Sequence, residues 1–188
     1  MKRLVSLVIV VSWFLLPACA DSDGAGSGAG GGEFGGAGAF GEADVVAAFG
    51  TFRETGFVQI TEAPAQSQHQ LAPRAVVWID EQAADAYRAI DPTDAGATAG
   101  PFPVGTIVIK ESRTEAGEPD GSATVMAKLD EGFNPGAGDW WWGRFGKDGA
   151  LVESGVLDFC VDCHTNNGFT DTDFVGGVAP DDQTDAGS

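Results

Sequence analysis

Near the C-terminus five consecutive residues, Cys160-Val161-Asp162-Cys163-His164, constrain the fold more than anything else in the chain. Two thiols three positions apart on a helical turn can add to the two vinyl groups of one haem. The next side chain is then carried beneath the ring, where an imidazole reaches the iron. The motif takes up two of the three cysteines and one of the two histidines. Competing uses of these residues account for less of it. A zinc site needs about four ligands, and outside the cluster only His69 offers a donor of the usual kind. A thioredoxin-like dithiol calls for a βαβ setting and gives the adjacent histidine no task. The expectation is heme c, covalent and one per chain, with Cys160 and Cys163 as thioether sites and His164 at the iron.

Such attachment takes place outside the cytoplasm in bacteria, and the N-terminus agrees with export. Met1-Lys2-Arg3 is followed by an apolar run from Leu4 to Leu16, too short for a stable membrane span but suited to a signal peptide. The run closes on Leu16-Pro17-Ala18-Cys19, which resembles the bacterial lipobox. Residues 1–18 are therefore expected to be removed and Cys19 to be acylated; the competing reading is a plain secretory signal with a nearby cysteine. Ala20 follows the cysteine where an Asp would retain a lipoprotein at the inner membrane. This predicts a lipid-anchored protein of the outer membrane facing the periplasm, held there by the lipid alone. A net charge of −18 repels nucleic acid and anionic membrane surfaces.

From Ala20 to Glu42 the chain is nearly half glycine, too poor in apolar side chains to offset its own chain entropy. Residues 19–42 are expected to form a tether with an r.m.s. reach of roughly 25 Å. Residues 43–178 make one domain, and 179–188 a loose polar tail. Within the domain, helices are predicted at Asp44–Thr51, with Asp44 as cap, and over the ten residues after Asp80. Strands are predicted at Leu71–Asp80, Val104–Arg113, Gly121–Asp130 and Trp140–Phe145, with a turn at Pro135–Asp139. Sequential strands with helices at the ends predict an α+β domain on an antiparallel sheet.

The segments CVDCHTNNGFTDTDFVG, FPVGTIVIKE, NPGAGDWWWGRF and RAVVWIDEQAADAY, in their order and spacing, resemble the cytochrome P-460 and cytochrome c′-beta family from about Arg74 to Gly177. The specific part is the Gly-Thr-x-x-x-Lys-Glu strand ahead of the haem motif. The resemblance implies an antiparallel sheet over one haem face, short flanking helices, and a homodimer. It also implies five-coordinate iron with His164 proximal and an open distal site that binds nitric oxide. In members that oxidise hydroxylamine a lysine is joined to the porphyrin; Lys110 falls on that position, where the competing reading is a solvent-facing strand lysine. Arg74 matches a distal arginine with a one-residue slip. A carboxylate carried by those members on the following strand is replaced here by Val125 or Met126, which removes a base from the pocket.

Met126 is a packing residue of the distal wall or a sixth ligand. His69 is the other candidate for a sixth ligand, or a loop residue. Trp140 and Trp142 share one strand face and are expected to line the core or the haem, leaving Trp141 partly exposed or at a dimer contact. The leading function is binding of nitric oxide or a related small nitrogen ligand. An electron-transfer cytochrome with six-coordinate iron and a redox partner, and a hydroxylamine or nitric oxide oxidoreductase, stand as alternatives.

Overall fold

The computed structural model describes residues 39–67, 71–92, 94 and 98–177. The expected signal, Cys19, almost all of the tether, His69 and the tail lie outside these residues.

The chain opens with helix α1 (Glu42–Thr51), followed by strands β1 (Phe57–Gln59), β2 (Ala65–Gln66) and β3 (Arg74–Asp80). Helix α2 (Ala84–Arg88) precedes the long strands β4 (Ile107–Arg113) and β5 (Pro119–Lys128). Strands β6 (Trp140–Phe145) and β7 (Leu151–Gly155) lead into helix α3 (Asp158–Asn166). All pairings are antiparallel, in the order β1-β3-β4-β5-β6-β7, with β2 beside β1 on the outer edge of β3. The predicted α+β class with an antiparallel sheet is what the chain forms.

Element ends differ from the sequence expectation for local reasons. Gly105 has φ +92°, so the extended run starts at Ile107 and not at Val104. Asp80 accepts the Ala83 N–H with one carboxylate oxygen and the Ile107 N–H with the other. It thus spends residues 81–83 on a turn tied to β4, and α2 shrinks from ten residues to five. At α1 the cap is Gly41, whose N–H is bonded by the Asp44 carboxylate. Phe40 already packs on the core, so ordered structure begins ahead of residue 43.

Side chains alternate across a strand, and both faces of this sheet are covered. One face carries Val77, Ile79, Val108, Met126, Trp140 and Trp142 beneath α2 and α3. The other carries Ile107, Ile109, Val125, Trp141 and Phe145 beneath α1. Trp141 is therefore fully buried, not partly exposed: α1 forms a second layer, and the indole N–H reaches the Glu42 carboxylate. Val125, on this second face, is excluded from any pocket beside Lys110. Gly143 is required here because a Cβ at that position would collide with the Trp141 ring.

Glu111 shares the α1 face and is 1 % exposed. Its carboxylate accepts from Arg53, from the Trp78 indole N–H at 3.0 Å and from Arg113 at 2.6 Å. The Glu of the Lys-Glu pair is thus a structural clamp joining three segments. Its neighbour Lys110 points the other way, towards α3.

Candidate functional site

Helix α3 presents Cys160, Cys163 and His164 to the sheet. Leu157, Cys160 and Val161 pack on the cluster that contains Met126, Trp140 and Trp142. The two thiols are separated by three positions on one helix, nearly one turn. After α3 a single turn of 3-10 helix (Phe169–Thr172) leads to Asp173 and Phe174, and the Phe174 carbonyl lies 2.6 Å from His164 Nδ1. A carbonyl can only accept, so Nδ1 carries the proton and the lone pair of the neutral ring sits on Nε2. Burial, with a smaller push from the Lys110 charge, lowers the His164 pKa, while the Phe174 hydrogen bond opposes this. The net effect favours the neutral imidazole that a metal requires.

Two rows of side chains cross the sheet beneath α3. One reads Ile79, Val108, Met126, Trp142, Gly155; the next reads Val77, Lys110, Thr124, Arg144, Glu153. An apolar row thus runs alongside a mainly polar one. Arg144 pairs with Glu153 at 2.8 Å, both partly exposed. Glu153 and Cys163 push the Cys160 thiol up and Arg144 pulls it down, after burial as the main cause, to about 12. Cys160 therefore faces the end of this polar row. A cavity of about 200 Å³ adjoins the polar row at Arg144 and lies over the neighbouring Ser112, Ser122, Lys147 and Val152.

Lys110 is largely buried, and its amine is pushed down to about 8 by burial, against a pull upward from Cys163. Lys110, Cys163 and His164 thus occupy one electrostatic neighbourhood. The sign of the pH effect follows. Below about pH 8 the ammonium is buried in full and its cost is greatest; as pH rises towards 10.5, the folded state sheds the proton and the unfolded state keeps it. Stability relative to Lys110→Met should rise by about 2–3 kcal/mol between pH 8 and 10.5. Denaturant titrations at both pH values check this in the haem-free Cys160→Ala/Cys163→Ala chain, where neither thiol titrates.

The structure brings together Cys160, Cys163, His164, Lys110, Met126, Trp140 and Trp142, but not Arg74. Arg74 pairs in register with Arg113, so alternation puts it on the face opposite Lys110. Its Nη1 donates to the Pro64 carbonyl at 2.9 Å. The expected distal arginine is corrected accordingly: the guanidinium on the Lys110 face is Arg144, two strands away. Alternation from Trp140 and Trp142 in WWWGRF would have pointed to it. Trp140 gives its N–H to the Asp173 carbonyl at 2.7 Å and is a structural anchor. Trp142 lies 6.0 Å from the His164 ring in an edge arrangement.

The donor set fits a haem. Its thiols share one helix face, the Nε2 lone pair of His164 is left available, and the buried Trp142 indole N–H has no hydrogen-bond partner among the described residues. Such a donor is normally satisfied, and an acceptor group brought by a cofactor would satisfy it.

No curated protein and no solved structure matches the chain. The sequence model of the family described as Cytochrome P460 matches residues 51–175, from the end of α1 to the loop that holds His164. With two thirds of its length so matched, the chain belongs to the cytochrome P460 family and is a haem protein, related to nitric oxide and hydroxylamine chemistry.

Proposed function

We propose that the chain is a monohaem cytochrome, exported and lipid-anchored through Cys19, that binds nitric oxide or a related small nitrogen ligand at a five-coordinate haem. The haem would be held by thioether bonds from Cys160 and Cys163 and by His164 Nε2, and when bound it supplies the iron at which the ligand sits. The chain's own residues keep the imidazole neutral by burying it, fix its Nδ1–H tautomer through the Phe174 carbonyl, and exclude water with Met126, Val108 and Trp142.

The observation that carries the ligand assignment is the row through Lys110. It places Thr124 directly across from the lysine, and its only carboxylate, Glu153, is three strands away and paired with Arg144. At about 4.8 Å per strand the backbones of Lys110 and Glu153 lie about 14 Å apart. Proton-coupled oxidation needs a base within hydrogen-bond reach, and its loss removes a typical 10²- to 10⁴-fold contribution. A neutral diatomic ligand needs no such base. One observation favours a second reading, an oxidoreductase with Lys110 joined to the porphyrin: burial makes the Lys110 amine more readily neutral and hence nucleophilic.

Titration of the ferrous protein with nitric oxide should give a saturable change in the Soret band. Hydroxylamine consumption with an artificial electron acceptor should stay near the haem-free background, and Thr124→Glu should raise it. Rapid hydroxylamine turnover by the unaltered protein would overturn the assignment.

A further inference from the structure

The loop after α3 holds two consecutive residues other than glycine in the left-handed region, Asp173 at φ +51° and Phe174 at φ +64°. Such backbone persists only where its surroundings over-determine it. Here they do. The Asp173 carboxylate receives Lys128 Nζ at 2.7 and 2.8 Å and the Phe102 N–H at 2.8 Å. The Asp173 carbonyl receives the Trp140 indole N–H at 2.7 Å, and the Phe174 N–H donates to the Phe169 carbonyl at 2.6 Å. Gly138 abuts the loop so closely that a Cβ there would lie 2.8 Å from the Phe174 ring and 2.9 Å from Asp173 Oδ1. The outcome of this bracing is one direction for the Phe174 carbonyl, towards His164 Nδ1.

Lys128 ends β5, on the same face as Met126, and its side chain is 10 % exposed against 11 % for Asp173. A largely desolvated ion pair is strong in geometry even where its net stabilisation is small. We propose that Lys128 is a positioning residue for the haem ligand: through Asp173 it fixes the Phe174 carbonyl, and so sets how strongly His164 donates to iron. The chemistry is that of an outer hydrogen bond to a metal-bound imidazole. A well-aligned Nδ1–H···O=C bond polarises the N–H, raises electron density at Nε2, strengthens the iron bond and lowers the reduction potential. This inference rests on the haem reading above and extends it from the ligand to what tunes the ligand.

The test compares wild-type holoprotein with Lys128→Met and Lys128→Arg, reading the ferrous iron–histidine stretching frequency by resonance Raman and the midpoint potential by spectroelectrochemistry. Lys128→Met should lower the frequency and raise the potential, and Lys128→Arg should restore both towards wild type. Asp173→Asn, which tolerates the left-handed backbone and keeps an acceptor for Phe102, supplies the same comparison if Lys128→Met does not fold, with shifts in the same directions. A purely structural role would lower the denaturation midpoint and leave the frequency alone. Haem present, with an unmoved frequency in the folded variants, overturns this inference only. A wild-type chain without haem overturns it together with the haem reading.

Discussion

Exchanging Cys160 and Cys163 together for alanine should remove all covalently held haem and leave the sheet folded. The first half follows from the proposed attachment, since the described part of the chain has no other cysteine. The second half follows from the packing. Each face of the sheet has its own cluster of buried side chains, and α3 contributes no fully buried residue to either. The cores are closed by Trp140, Trp142 and Tyr87 on one side and by Trp141, Phe52 and Phe145 on the other. Intact mass and the pyridine haemochrome read the loss of haem; far-UV circular dichroism reads the retained sheet. Zinc without iron in the wild-type protein would sink the claim at its root.

Glu111→Gln should be strongly destabilising although it nearly preserves the side chain's shape. The carboxylate is 1 % exposed and receives Arg53, Arg113 and the Trp78 indole. An amide keeps the shape, but it has one acceptor oxygen in place of two and turns donors towards donors. Removing one partner of a buried pair costs about 3–5 kcal/mol; Arg53 is about half exposed and can turn to water, so the lower end, about 3 kcal/mol, applies. Urea unfolding should show a lower midpoint with an unchanged slope, while the haem spectrum stays as in wild type.

How much of this was legible in the sequence depends on the range of the interactions involved. The Cys-x-x-Cys-His motif is local, and so are the alternating runs of β4, β5 and β6, so both could be read directly. Strand β7 was missed because Leu151–Gly155 sits at an edge, with no residue fully buried, and carries little apolar signal. Trp141 was misjudged because alternation alone says that one face differs from the other; only α1, packed nearly a hundred positions earlier in sequence, makes both faces interior. The position of Arg74 depends on strand pairing. Alternation separates Arg74 from Val77 within β3, but which of the two shares a face with Lys110 is set by the β3–β4 register, which only the fold supplies. The bracing of His164 was invisible, since Lys128 and Asp173 meet across 45 positions of chain.

The adjacency of Lys110 and Glu111 has a consequence for how this protein can diverge. Neighbouring letters of the sequence face opposite compartments, so a change in the first reaches the surface beneath α3 and a change in the second reaches the scaffold's anchorage. The strand works as a partition wall with separate tenants. Lys110 and its neighbours on that surface can be varied, as a library, without touching the Glu111 clamp on the opposite one, Arg144 giving up only its pair with Glu153. A lineage, or an experimenter, can therefore explore new ligands on one surface while the opposite surface keeps the domain standing.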